Sequence, residues 1–162
     1  MAIAMLSWVL AIPLLGLTTG LRSMTPMAVL CWFSYFGDLP VDGTWAAWTG
    51  HRTTAIIFTV LAVGELVADK LPRTPNRIAP GPLGARLVLG GLAGSIAATA
   101  MNGPGVEGVL LGVVGALLGA FGGFMVRRGL VEKIGCPDWP VALGEDVFAI
   151  LSAVLALHVV TT

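Results

Sequence analysis

Four stretches of the chain are apolar over nearly the length that an α-helix needs to cross a bilayer, about 20 residues for ~30 Å of hydrocarbon. They cover residues 53–71, 83–101, 106–126 and 141–160. A fifth apolar stretch, residues 1–36, is interrupted only around Arg22. This hydropathy pattern predicts an integral membrane protein.

Composition supports one transmembrane domain over residues 1–162. Hydrophobic residues make up 56% of the chain, charged residues only 11%, and 22 residues are glycine, a combination outside the range of water-soluble domains. We expect halves 1–71 and 82–162, joined by a proline-rich linker, residues 72–81. The net charge is zero and the basic residues lie beside the membrane ends, so we expect no nucleic acid partner.

Basic residues predict the orientation. Lys70, Arg73, Arg77 and Arg86 lie around the linker, and Arg127, Arg128 and Lys133 lie in the connection before the last segment. Residues 37–51 and 102–105 contain no Lys or Arg. Because cytoplasmic loops are enriched in Lys and Arg, the two basic connections should be cytoplasmic. This alternation predicts a multi-pass protein of the inner (plasma) membrane.

The first 36 residues are too long for one crossing, because a helix of that length would extend more than about 50 Å. The sequence around Arg22 and Pro26 supplies a break, since proline interrupts the helical hydrogen bonds and a charge needs a polar partner. We predict a crossing over residues 1–21 and a short returning segment over residues 24–36. The chain then has about six segments, with both termini outside. The alternative is a single kinked crossing, which would place the N-terminus inside.

Six crossings divide into two triplets that would have opposite orientations. Weak similarities connect the halves: residues 16–20 (GLTTG) resemble 91–94 (GLAG), and residues 63–68 (VGELVA) resemble 143–147 (LGEDV). They favour a 3+3 inverted repeat, an architecture in which transporters bind substrate between the repeats. Chance similarity is the other interpretation.

Small residues form two ridges on the third long segment. Gly108, Gly112, Ala116 and Ala120 form one ridge, and Gly115, Gly119 and Gly123 form the other. Such ridges allow close helix packing in membranes. We interpret them as internal packing surfaces, with a homo-oligomer through the Gly-rich helices and a water-lined pore as alternatives.

Ionisable residues inside the apolar segments are the candidate ion-binding or substrate-binding residues. The predicted topology brings them from three segments to one depth near the cytoplasmic side; they are Arg22, Ser23, Thr25, Glu65, Asp69, Lys70, Glu145 and Asp146. A charge at that depth costs a few kcal/mol unless it is paired or hydrated. The cluster is either a structural network around Arg22 or a proton or cation site built from carboxylates.

Four arginines outside this cluster are candidates for lipid headgroup contacts: Arg73, Arg77, Arg127 and Arg128. A positive-inside loop would contain such residues without a binding role. The sequence has no metal-binding, nucleotide-binding or nucleophile motif. We therefore expect no catalytic residue, metal or cofactor.

Several of these motifs together resemble a known family. They are residues 20–26 (GLRSMTP), residues 65–72 (ELVADKLP) followed by Pro75 and Arg77, the Arg127-Arg128 pair, and Pro137-Asp138 ahead of Glu145-Asp146. The chain resembles an uncharacterised family of small bacterial polytopic membrane proteins, classed as a domain of unknown function. The resemblance implies a membrane protein built around these polar motifs, and it implies no activity.

The functional expectation is a small transporter or channel for an ion or small solute. Arg22 would be the fixed positive charge, and carboxylates would bind the cation or proton. A structural or lipid-interacting membrane protein is the alternative, and a membrane-embedded lipid-modifying enzyme ranks third. The expected partners are the lipid bilayer, further copies of the chain and a small ion or solute.

Overall fold

The computed structural model describes residues 2–69 and 78–161, with side chains from Val9 onward. Within these residues the chain forms six α-helices and no strand. The helices are α1 (Ala2–Leu21), α2 (Met24–Phe36), α3 (Arg52–Ala68), α4 (Pro80–Ala100), α5 (Gly105–Arg128) and α6 (Asp138–Thr161). A 3₁₀ turn, Ala47–Gly50, precedes α3, and a π-helical turn, Gly129–Lys133, extends α5. The all-helical prediction and the break between residues 21 and 24 are confirmed.

Length and hydropathy identify the chain as a membrane protein. Among the described residues, three helices are long and apolar enough to cross a bilayer: Pro80–Ala100, Gly105–Lys133 and Asp138–Thr161. Val9–Leu21 and Met24–Phe36 are shorter apolar helices. Helix α3 has 17 residues, about 25 Å of rise, which is at the short end of the transmembrane range.

The helices run alternately up and down. Gly16 packs on Gly112, and Gly20 packs further along α5 on Ala116, so α1 and α5 are parallel. On α4, Gly90 faces Gly112 and Gly94 faces Gly108, so α4 is antiparallel to α5. We call the end of the bundle where α1 ends and α4 begins the proximal end, and the other end distal. The proximal end is the one predicted to be cytoplasmic.

Glycine allows α5 to occupy the centre of the bundle. Gly108 and Gly112 contact the backbone of α4, whereas Gly115 and Gly119 contact the backbone of α1 near Pro13 and Leu17. Both predicted ridges therefore pack against helices of the same chain, the first against α4 and α1 and the second against α1. This confirms their interpretation as internal packing surfaces; a homo-oligomer through the Gly-rich helices stays a prediction.

The distal end is covered by the loop between α2 and α3. Leu39, Val41 and Ala46 of this loop are buried in the hydrophobic core. Trp45 Nε1 donates a hydrogen bond to Thr99 Oγ1 at the distal end of α4 (3.1 Å). The loop is thus a packed cover over the bundle.

Close packing at Gly112 predicts that one added methyl group lowers the stability of the fold. In Gly112→Ala the new Cβ would collide with the carbonyl oxygen of Gly90, and overpacking of this kind costs about 1–3 kcal/mol. Gly122→Ala is the matched control on the same helix, since no atom lies within 4 Å of a Cβ there. Unfolding titrations of both variants in mixed micelles, followed by circular dichroism, should show destabilisation only for Gly112→Ala.

The predicted orientation can be tested by labelling single cysteines in intact cells. Asp42 lies in the distal loop, and Lys133 follows α5 at the proximal end; both are exposed. With Cys136 replaced by serine, a membrane-impermeant maleimide should label Asp42→Cys from outside and Lys133→Cys only after permeabilisation. Labelling of both from the same side would contradict the topology.

Candidate functional site

The candidate site is built around the break between α1 and α2. Arg22 and Ser23 separate the two helices, and Pro26 lies in the first turn of α2, where its missing N–H is tolerated. A helix end leaves backbone N–H or C=O groups without intrahelical partners. Here one helix ends and the next begins in the interior, so both sets of groups require partners from other helices.

Glu65 supplies the partner for the start of α2. Its Oε1 accepts a hydrogen bond from Ser23 N and its Oε2 accepts one from Met24 N, each at 2.8 Å. Glu65 lies in the last turn of α3. A carboxylate is favoured at the start of α2 because it offsets the positive N-terminal end of the α2 dipole.

Arg86 supplies the partner for the end of α1. Its Nη1 donates hydrogen bonds to Gly20 O and Leu21 O, both at 2.6 Å, and the residue is buried in α4. Arg86 Nη2 is also 3.8 Å from Glu65 Oε1. The residues that cap the two helix ends therefore form an ion pair with each other.

Arg22 itself connects three helices. Its guanidinium forms ion pairs with Asp69, at the end of α3, and with Asp146 of α6. The Arg22 side chain is 1% exposed, that of Asp146 7% and that of Asp69 20%. Arg22 is thus paired with carboxylates from two other helices.

The cluster lies within the bundle, away from its surface. Arg86 is six residues from the start of α4 and Asp146 is eight residues from the start of α6. At ~1.5 Å per residue, these residues lie about 9 and 12 Å along their helices from the proximal end. Asp69, which follows the last residue of α3, is the most exposed member.

The structure brings together five of the predicted candidates: Arg22, Ser23 (through its backbone N–H), Glu65, Asp69 and Asp146. Thr25 is buried next to them in the first turn of α2. Glu145 lines a separate groove together with Arg127. Lys70, Arg73 and Arg77 lie outside the described residues.

The two described arginines proposed as lipid contacts are engaged in ion pairs. Arg127 Nε and Nη2 donate to the two carboxylate oxygens of Asp138 (2.8 and 2.7 Å). Arg128 Nε donates to Glu132 (2.8 Å), one helical turn further along. Arg127 is half-buried and Arg128 is exposed, so only Arg127 belongs to a concave surface.

Arg86 is the residue that sequence reasoning missed. Its position near the linker suggests a basic residue of a cytoplasmic loop, yet it is buried inside α4 and caps α1. The sequence did contain a signal, because Arg86 falls within the apolar stretch 83–101. An arginine inside an apolar stretch needs a polar partner within the bundle, as Arg22 does.

Carboxylates outnumber arginines among the described members of the cluster. Its described members are two arginines, Arg22 and Arg86, and three carboxylates, Glu65, Asp69 and Asp146. In the described part of the chain, no group of three or more His, Cys, Asp or Glu side chains is arranged to hold a metal ion. The carboxylates face arginines and the start of α2, so the chemistry that these contacts show is ion pairing and hydrogen bonding.

A buried helix break with charged caps, inside a bundle of apolar helices, defines a helical membrane protein with a buried ion-pair cluster. The chain matches over residues 9–161 the model of a family described as a domain of unknown function, DUF4126. The protein belongs to this family, as its motifs indicated. No curated protein and no solved structure shows significant similarity to the chain.

The ion pairs of Arg22 predict a strong dependence of stability on this residue. Arg22→Ala would leave Asp69 and Asp146 without their guanidinium, and removal of one partner from a buried pair costs about 3–5 kcal/mol. Arg128→Ala is the control, since that arginine is exposed and its ion pair in the described part of the chain is with Glu132, which is also exposed. Thermal unfolding in detergent should show a large loss of stability for Arg22→Ala and little change for Arg128→Ala. Equal stability of the two variants would contradict a stabilising role of the Arg22 ion pairs.

Proposed function

We propose that this protein is a small transporter or channel that moves a proton or small cation through the Arg22 cluster. The observation that carries the proposal is the buried break between α1 and α2. In secondary transporters, discontinuous helices with their ends inside the membrane form the binding sites for ions and substrates. In this chain the two helix ends are accompanied by three carboxylates and two arginines.

The charge balance favours a cationic cargo. Three carboxylates against two arginines leave one negative charge in excess among the described residues. Asp69 is the member through which a cation would enter, because its side chain is the most exposed of the three. A proton or cation on Asp69 weakens its pairing with Arg22, which then relies on Asp146.

Among the described residues, the cluster is covered on its distal side and is most exposed at its proximal side, as one state of a transport cycle would require. The distal side of the cluster is filled by buried apolar residues such as Ile12, Leu30, Ile96 and Leu157, and beyond them by the loop residues Leu39 and Val41. Asp69 lies at the proximal side. In this proposal the described arrangement is the state open to the proximal side, and release of Arg22 allows the helices to separate distally.

Finer features of the architecture belong to the same proposal. We propose six crossings in the inner (plasma) membrane, with α1, α2 and α3 completing the crossings already supported for α4, α5 and α6. An inverted repeat and a homo-oligomer stay predictions. In a 3+3 repeat α1 corresponds to α4 and α2 to α5, so the contact between α1 and α5 should recur between α4 and α2. In this chain α1 lies along α5, whereas α2 contacts α4 little. Any repeat has therefore diverged in its packing.

A structural or lipid-interacting protein is the second candidate. The observation that favours it is the extent of pairing within the cluster, where Arg22 is 1% exposed and contacts two carboxylates. In that case the charges would hold the broken helix in place and bind no cargo.

One carboxylate substitution separates the two candidates. Asp69→Asn preserves volume and removes the charge of the most exposed member, while Asp146 remains to pair with Arg22. If the cluster binds cargo, Asp69→Asn should fold and assemble normally but lose flux of protons or monovalent cations in proteoliposomes. Asp38→Asn, in the exposed distal loop, is the control and should transport like the parent protein.

Two outcomes would contradict the transport proposal. One is parent protein that shows no flux above empty vesicles for protons, Na⁺ or K⁺ under an imposed gradient. The other is Asp69→Asn with normal stability and normal flux. Unfolding of Asp69→Asn under conditions where Asp38→Asn stays folded would favour the structural candidate.

A further inference from the structure

A groove between α5 and α6 lies outside the cluster. It has a volume of about 480 Å³ and is closed at its back by the end of α1. Its walls are apolar side chains and glycines, among them Leu17, Leu118, Gly122, Val141, Gly144 and Phe148. Leu118, Gly122, Gly144 and Phe148 are exposed, so the groove opens sideways from the bundle towards the surrounding hydrocarbon.

We infer that this groove binds one acyl chain of a zwitterionic phospholipid whose headgroup is phosphoethanolamine. The inference is independent of the transport proposal, because the groove shares no residue with the described Arg22 cluster.

The length of the groove fits one acyl chain. Leu118 and Arg127 mark its deep and proximal ends on α5. They are nine residues apart, about 14 Å of helix, and one leaflet contributes roughly half of the ~30 Å hydrocarbon thickness. A chain that enters at Arg127 would therefore reach the level of Leu118 near the bilayer centre.

The charges at the proximal end fit a zwitterion. Arg127 and Glu145 both line the groove there, one on α5 and one on α6. Two nitrogens of Arg127 hold Asp138 (2.8 and 2.7 Å), and an arginine has five N–H donors in total, so donors remain for a lipid phosphate. Glu145 can accept hydrogen bonds from a primary ammonium group. A purely anionic headgroup would place its charge beside this carboxylate without an ammonium group of its own to contact it.

Filling the groove tests the acyl chain. Gly122→Leu and Gly144→Leu add side chains from opposite walls, and no atom lies within 4 Å of a Cβ at either position. Gly64→Leu on α3 is the matched control, exposed and equally open but remote from the groove. Native mass spectrometry with dioleoyl phosphatidylethanolamine should show one tightly bound lipid on the parent and Gly64→Leu. Both groove variants should bind it about tenfold more weakly, as expected when the burial of about two methylene groups is lost.

Two further variants test the headgroup. Arg127→Gln removes the proposed phosphate contact, whereas Asp138→Asn breaks the same ion pair but retains the arginine. Phosphatidylethanolamine binding should weaken in Arg127→Gln and persist in Asp138→Asn, and the parent should bind it better than phosphatidylglycerol. If the pair between Arg127 and Asp138 were only a structural salt bridge, the two variants would bind phosphatidylethanolamine equally.

The inference is overturned by any of three results. Equal lipid binding by Gly122→Leu, Gly144→Leu and Gly64→Leu would exclude the groove. Preference for phosphatidylglycerol would refute the headgroup assignment. Loss of a dimer in Gly122→Leu, with the bound lipid unchanged, would assign the groove to a second copy of the chain. Circular dichroism of each variant confirms that the helices are intact before binding is compared.

Discussion

The fold depends on satisfying the backbone groups at the break between α1 and α2. Inside a membrane, water is not available to hydrogen-bond such groups, so an interrupted helix is tolerated only where protein supplies the partners. Glu65 supplies acceptors for the start of α2 and Arg86 supplies donors for the end of α1. Because these residues come from α3 and α4, the break fixes the positions of four helices relative to one another.

The glycines of α5 are the second requirement. Arg86 can reach the carbonyl groups of Gly20 and Leu21 only if α4 lies close to α1, and α5 packs against both helices through glycine. A larger residue at Gly112 would push against the backbone of Gly90 and Gly94 in α4, and a larger residue at Gly16 in α1 would push against the backbone of Gly112. Close helix packing and the charged caps therefore depend on each other, although they involve different residues.

The sequence predicted the break well because its signals are local. Arg22 and Pro26 interrupt an otherwise apolar stretch, and the helix ends at residues 21 and 24 follow directly from them. The sequence could not decide between Glu145 and Asp146. Neighbouring residues on a helix point about 100° apart, and only the orientation of α6 determines that Asp146 faces Arg22 while Glu145 faces α5.

Arg86 and the groove illustrate what hydropathy leaves undetermined. An arginine near the end of an apolar segment fits either a loop or a buried cap, and its partners here are backbone oxygens, which have no sequence signature. The groove lies between α5 and α6, and helix crossing geometry is not encoded in periodicity alone. The boundaries of the helices are therefore easier to predict from sequence than their packing.

Structural and functional roles within the cluster fall on different carboxylates. Glu65 uses both oxygens on backbone N–H groups, so its charge is committed to the helix end. Asp69 contacts a side chain, Arg22, whose other partner is Asp146. A contact between two side chains can exchange with a proton or cation without exposing backbone groups, whereas loss of the Glu65 contacts would leave two amides unsatisfied in the interior. For this reason Asp69, at the proximal edge of the bundle, is the member of the cluster on which the proposed transport cycle would act while the fold is preserved.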